Sequence, residues 1–428
     1  MIDTAPDDLT EDARPSRGTG IAMVVLGALI MAVVILTTPW RALPPEAPYV
    51  PPDPARDFTA AQIARADAFD AATSVPGNLS LALTIVFAGV LVATPFGARL
   101  LARLRGPRWV RIVLGVLVLT AIVELLRWPL GMWFETILRQ YGLSTQNWAS
   151  WTGDRLKGIA ISVVILSVML IVLMALARRL RRWWIPAAIG AALFTVVASF
   201  VYPVVVEPLF NDFRPLPSGP LRTKLLGMAT RADVPVEDVL VADASKRTRA
   251  LNAYVSGFGA TRRIVVYDTL LQAPEKDIEL VVAHELGHAE HQDVIYGTLV
   301  GALTAAFGAG LLFVVFPLVR RRGGVASIAD PRAVGVVIGL MSLATVLSGP
   351  GENLVSRHVE ASADAFALDL TRDPATFVSM QKRLAVANIS DLTPNVVEYV
   401  LYASHPTAPQ RIAMARSWAL LNGSPVPP

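Results

Sequence analysis

Apolar residues cluster in seven long runs: Ile21 to Thr38, Leu79 to Phe96, Val110 to Leu126, Ile159 to Ala177, Trp184 to Val206, Ile295 to Leu318 and Ala333 to Leu347. A helix needs about 20 predominantly apolar residues to cross a bilayer core, so each run reaches or approaches a spanning length. The last is the shortest and carries glycine. No small-residue cleavage pattern follows the first run, which therefore reads as a retained membrane helix behind an acidic tail. Between runs one and two, "ALPPEAPYVPPDPARD" is Pro-rich, and "FTAAQIARADAFDAA" has helical periodicity that predicts a helix on the membrane surface or in solvent.

Polar sequence interrupts the runs at two places. From Asn211 to Asp293 it predicts a helix near Leu221 to Ala229, a strand near Val239 to Ala242, a hairpin-like pair formed by "NAYVSG" and "RRIVVYD", and a polar helix after them. Polar sequence resumes after Gly349 and runs to the end. The expected organisation is an N-terminal tail at 1–18, five membrane helices with their loops at 19–210, a polar domain begun at 211–293, two more membrane helices at 294–350, and the same domain completed at 351–428. The fold class is a mainly α polytopic membrane protein with a split α+β domain containing a small sheet.

Composition agrees: 54% of the 428 residues are hydrophobic, 17% are charged, and there is no cysteine. Thiol chemistry is excluded, and any metal must sit on His, Asp or Glu. The net charge of +4 comes mostly from arginines beside the apolar runs, with no basic and aromatic face for a nucleic acid. With seven spans, one side carries fifteen arginines: 14 and 17, five between 99 and 111, four between 178 and 182, and 320, 321, 322 and 332. The other side's short loops carry seven basic residues: Arg41, Arg56, Arg65, Arg127, Arg139, Arg155 and Lys157. Basic loops stay in the cytoplasm, which predicts a multi-pass cell-membrane protein with its polar domain outside.

The polar helix carries "VVAHELGHAEH", with three of the five histidines in eight residues. His284 and His288 are four apart, one turn apart on one helix face, where both imidazoles can reach one metal. Glu285 follows the first and can act as general base towards a water. In such a site zinc lowers the pKa of a water in its open position and polarises a peptide carbonyl. Gly287 leaves room for close packing or for substrate. His291 lies about 4.5 Å further along the helix axis than His288 and points past a metal held by the first two.

A third ligand is expected elsewhere. In "SRHVEASADAFALDL", Glu360 and Asp364 share a helix face, so Glu360 can bind the metal while Asp364 holds a ligand histidine's other nitrogen. Glu352, His358 and Glu290 compete, and the pair alone also fits a solvated acidic face. In "YASHPTAPQRI", Pro406 and Pro409 stiffen the backbone around His405, with Arg411 six positions on; either side chain can stabilise an oxyanion, although for this motif by itself a surface His-Pro turn is the commoner explanation. Glu124 and Arg127, near the end of the third run, are suspects for function or for an ion pair at the membrane interface.

These pieces, with "YGLSTQNWASWTGDRLK", "YPVVVEPLFNDFRPL" and "NAYVSGFGATRRIVVYDTLL", resemble the type-1 CAAX prenyl endopeptidases, integral-membrane zinc metalloproteases of the HExxH class. The likeness runs from about Asp57 over most of the chain. It implies seven membrane helices around a water-filled chamber closed at one end by a zinc site with one Zn2+ per chain. It makes His284, His288 and Glu360 the ligands, Glu285 the base, Asp364 the residue behind a ligand, and His405 and Arg411 the transition-state stabilisers. It also implies that Asn252, Ala253, Tyr254 and Val255 supply an edge strand for an extended peptide or protein substrate, a mode that binds backbone without demanding one sequence. Eukaryotic members cut prenylated C-terminal CAAX substrates from the cytosol. The external site favoured here points instead to membrane-protein quality control or exported peptides. From a different class, a transporter or a non-proteolytic membrane scaffold with a structural zinc would share the spans but would not need Glu285.

Overall fold

The computed structural model describes residues 16–428; the acidic tail up to residue 15, with Arg14, lies outside the described residues. The chain is mostly helical. In order come α1 (Arg17–Thr37), α2 (Pro54–Asp57), α3 (Ala60–Ala93), α4 (Phe96–Leu101), α5 (Arg108–Gln140), α6 (Trp148–Arg179), α7 (Trp184–Val201), α8 (Pro220–Arg231), α9 (Glu275–Glu290), α10 (Asp293–Val319), α11 (Val334–Thr371), α12 (Pro374–Asn388), α13 (Val396–Tyr402) and α14 (Ala408–Leu421). Four strands, β1 (Phe213–Pro215), β2 (Asp238–Ala242), β3 (Ala253–Ser256) and β4 (Arg263–Tyr267), form one sheet in the order β1-β2-β4-β3.

Seven helices among the described residues are long and apolar enough to cross a membrane: α1, α3, α5, α6, α7, α10 and α11. Their membrane portions match the seven apolar runs, but several helices continue far beyond them. α3 has 34 residues and α11 has 38, which at 1.5 Å each is roughly 51 and 57 Å against a bilayer core of about 30 Å. The helix expected separately on the membrane surface is therefore the first half of α3. Thr59 starts it with a capping box closed by Gln62, and Pro76 sits inside it without ending it. In the same way α11 passes position 350 unbroken and carries Glu360 and Asp364 out of the membrane layer on the helix that crosses it.

α10 packs on α7, α7 on α6, α6 on α5, α5 on α3, α3 on α11, and α11 on α10; six helices close a ring, with α1 against α10. Gly339 allows α11 to lie close on α3, since a Cβ there would meet the Ala88 carbonyl oxygen at 2.8 Å. At the arginine-rich end a buried apolar cluster including Leu101, Ile112, Trp183, Phe316, Val325 and Ala333 ties the loops together. At the other end sits the second core, in which Ile264 and Val266 of β4, Val282 and Leu286 of α9, Leu368 of α11, Phe377 of α12 and Ile412 and Trp418 of α14 pack as one cluster. Two polar segments separated by two membrane helices thus share a single hydrophobic core.

In the sheet, β2 pairs antiparallel with β1 and parallel with β4, and β4 pairs antiparallel with β3. The hairpin-like pair of the sequence is β3 with β4. β1 was not expected; three residues give no readable alternation. Among the described residues β3 is an edge strand, paired to β4 on one side and to no strand on the other.

A buried ion cluster fastens this domain to the segment after α1. Arg416, 1% exposed, donates to both carboxylate oxygens of Asp57, with Nη1 to Oδ2 at 2.9 Å, and Lys382 Nζ lies 3.0 Å from Asp57 Oδ1. Burial opposes the charged form of Asp57, but the hydrogen bonds from Arg416 and Lys382 outweigh it and hold the carboxyl below its ordinary range. Asp57→Ala strands a buried guanidinium and is expected to destabilise the fold by about 3–5 kcal/mol, read as a lowered thermal midpoint in detergent. Because the folded pKa is depressed, this contribution is present above the unfolded-chain value near ~3.9 and is lost as pH falls through the lower folded value. A midpoint unchanged by the substitution would remove the cluster's structural role.

Candidate active site

α9 follows Pro274 and opens with Glu275 and Asp277, acidic residues that suit a helix N-terminus. Its apolar residues Ile278, Val281, Val282 and Leu286 anchor it in the domain core, which fixes the face that carries His284 and His288. Gly287 is there for packing: a Cβ would come within 3.1 Å of Ala363 Cα and of Phe366 Cβ. The two helices therefore approach closely enough for Glu360 of α11 to reach the histidines.

His284 Nε2 and His288 Nε2 are 3.2 Å apart; Glu360 Oε2 lies 3.1 Å from the first, and Oε1 lies 3.6 Å from the second. Donors of a tetrahedral ion with bonds of about 2.0–2.1 Å stand roughly 3.3–3.4 Å apart, so this set of two imidazoles and a carboxylate fits zinc. Each imidazole is held from behind. Asp364 Oδ1 is 2.9 Å from His284 Nδ1, and Asp293 Oδ2 is 2.8 Å from His288 Nδ1, which turns both Nε2 atoms towards the shared point. Burial opposes a charged His284, but its hydrogen bonds to the Asp364 and Glu360 carboxylates outweigh it and raise its pKa to about 10.

Asp293 was not anticipated. It sits five residues after His288 because Gln292, at φ 59°, breaks the chain between α9 and α10 and turns the carboxylate back, and no periodicity shows such a break. The competing ligands lie elsewhere. Glu290 pairs with His291 at 3.3 Å, and His358 donates through Nδ1 to the Leu354 carbonyl at 2.9 Å while its ring packs edge-on to Trp40. Glu352 is exposed. His291 ends α9 against Phe366, past the cluster.

Glu285 borders two cavities. The larger, ≈ 740 Å³, is lined by Glu285, His284, His405 and Arg411, by Asn252 at the entry to β3, and by the acidic residues Asp70, Asp391 and Glu398. The smaller, ≈ 30 Å³, is lined by Glu285, His288, Val255 and Phe258. β3 thus runs from one cavity to the other past Glu285, with its free edge available. Burial raises the Glu285 carboxyl above its ordinary value. Tyr254 donates to Glu207 Oε2 at 3.3 Å, which ties the strand to the segment after α7, while Ala253 is buried in the core.

His405 Nε2 is 3.2 Å from Glu360 Oε1, at the mouth of the cluster. Arg411 donates through Nε to Asp364 Oδ2 at 2.7 Å and through Nη2 to the other oxygen, and Nη2 stands 3.5 Å from His284 Nδ1. Asp364 thus sits between Arg411 and His284, fully buried. Glu124 pairs with Arg127 at 3.6 Å and, more closely, with Arg155 of α6 at 2.7 Å, a partner that spacing could not reveal.

A ring of membrane helices whose far end holds an HExxH helix, a convergent His-His-Glu set and a free edge strand defines the class: an integral-membrane metalloprotease. The comparisons with known proteins specify the family. Residues 48–212 match the CAAX prenyl protease N-terminal model of five membrane helices, and residues 215–419 match peptidase family M48. An uncharacterized metalloprotease, YhfN of Bacillus subtilis (strain 168), is 32% identical over 72% of this chain and 74% of its own. The CAAX prenyl protease 1 homolog of Oryza sativa subsp. japonica is 29% identical over 70% of this chain and 71% of its own. The crystal structure of Ste24p from S. mikatae superposes with a TM-score of 0.74 at 20% identity, covering 93% of this chain and 98% of the other. The chain belongs to the CAAX prenyl protease type of peptidase family M48.

Proposed function

We propose that the protein is a zinc-dependent endopeptidase in which Glu285 is the general base. The observation that supports this most strongly is the place of Glu285: a carboxylate beside three convergent metal donors, at the junction of two cavities joined by an edge strand. His284, His288 and Glu360 would hold one Zn2+, which when bound polarises the scissile carbonyl and lowers the pKa of a water. The substrate lies extended along Asn252 to Val255 and presents its carbonyl carbon beside Glu285. Glu285 takes a proton from the attacking water and passes it to the amide nitrogen as the C–N bond breaks. His405, and Arg411 through the Asp364 and His284 contacts, stabilise the carbonyl oxygen as it becomes negative. Asp364 and Asp293 keep the two imidazoles in their binding tautomers.

A chelator is expected to abolish cleavage of an internally quenched peptide, and stoichiometric Zn2+ to restore it. Hydrolysis that persists in metal-free protein would exclude this mechanism.

The relatives' names point to C-terminal CAAX peptides as one substrate class. The arginine distribution supports a different one, membrane or exported proteins, because it favours an orientation with α9 and the sheet outside the cytoplasm. A reporter active only outside the cytoplasm, fused after Pro428, is expected to be active. A cytoplasmic C-terminus would instead return prenylated cytosolic proteins to the candidates.

A further inference from the structure

His405 has little to hold it in place. Its side chain is 57% exposed in the mouth of the large cavity, and its neighbours there are Glu360 and Ser404, whose Oγ is 2.9 Å from His405 Nδ1. A side chain so open keeps a catalytic geometry only if its backbone is fixed. The fixing points lie on α11. Asn353, Arg357, Glu360 and Asp364 fall at i, i+4, i+7 and i+11, a single stripe along that helix. Glu360 and Asp364 face the histidines, and the other two face the end of α13.

Arg357 is 8% exposed. Its Nη1 donates to the carbonyls of Tyr399 at 3.0 Å and Ala403 at 2.6 Å, and its guanidinium lies 4.4 Å from the Tyr399 ring centroid. Asn353 Nδ2 donates to the carbonyl of Leu401 at 2.8 Å. These oxygens belong to the last turn of α13 and its cap, carbonyls that a helix cannot satisfy internally. No carboxylate among the described residues pairs with Arg357, so this buried cation is committed to the backbone. Two residues after Ala403 comes His405. Beyond it, Thr407 caps α14 with Gln410, which Tyr399 also reaches through its hydroxyl at 2.9 Å.

We propose that Arg357, supported by Asn353, is a positioning residue: it binds the carbonyl oxygens that end α13 and thereby holds residues 403–405 so that His405 stays over Glu360. The helix that supplies the third metal donor also sets where the transition-state stabiliser stands relative to it. This rests on the reading of His405 as a working group of a peptidase.

The test is a double-mutant cycle on the full chain, with kcat, KM, bound zinc and thermal midpoint measured for each variant. His405→Ala is expected to lower kcat roughly 100- to 1000-fold. Arg357→Met is expected to lower kcat ten- to hundred-fold with KM and zinc content unchanged, and to cost nothing further once His405 is alanine. Arg357→Lys, which retains a buried donor, is expected to recover part of the loss, and it carries the same cycle if the methionine variant does not accumulate. Independent, multiplicative losses in the double variant would overturn the positioning role, as would unchanged kcat in both single Arg357 variants. If His405→Ala has full kcat, it is the reading of His405 that has failed, and with it there is nothing for Arg357 to position.

Discussion

Glu285→Gln is expected to lower kcat for peptide cleavage by roughly 10²–10⁴, the usual share of a positioned general base, while the protein stays folded and loaded with zinc. The substitution keeps the size and shape of the side chain and removes only its capacity to take a proton. Glu285 is not one of the three convergent donors. Binding to the β3 edge uses backbone groups, so KM should barely move. The readout is therefore a split: zinc by elemental analysis near one per chain, KM near wild type, kcat collapsed. Retained hydrolysis at full zinc occupancy would falsify the assignment of the base, whereas a structural zinc in a non-proteolytic scaffold predicts no cleavage by the wild type itself.

Glu360→Ala should act on the metal itself. It removes one of three donors and with it the carboxylate that His405 approaches at 3.2 Å, so both the ion and the stabiliser lose their anchor. The protein should purify with little zinc and no measurable peptidase activity, and excess zinc should not restore full rate. Asp364→Ala is the informative contrast. It leaves all three donors in place but frees His284 Nδ1 and strands a buried Arg411; loss of such support behind a ligand costs about 10–100-fold in metal affinity or activity. Full zinc occupancy with unchanged affinity in Glu360→Ala would remove that residue from the ligand set.

Much of the molecule is legible in the sequence because it depends on short spacing. A bilayer demands about 20 apolar residues per helix, so seven runs predict seven spans. An i, i+4 pair of histidines shares a face wherever the helix sits. The limits of the same reading are physical too. Apolar content ends where a helix leaves the membrane, but its backbone hydrogen bonds do not, so the extensions of α3 and α11 were invisible to hydropathy. Arg155 as the nearer partner of Glu124, and Asp293 behind His288, depend respectively on a helix pairing and a left-handed turn that leave no periodic trace.

What the sequence by itself determined is the membrane character, the two-histidine face with Glu285, and the residue types available to complete a site. What only the tertiary structure decided is the company they keep. Glu360 meets His284 because a six-helix ring brings α11 beside α9 and Gly287 lets them touch; Arg357 meets the end of α13 because the same helix continues out of the membrane. Local spacing is encoded in local torsions and side-chain period, whereas contacts across 42 to 76 residues exist only once the ring and the shared core have closed.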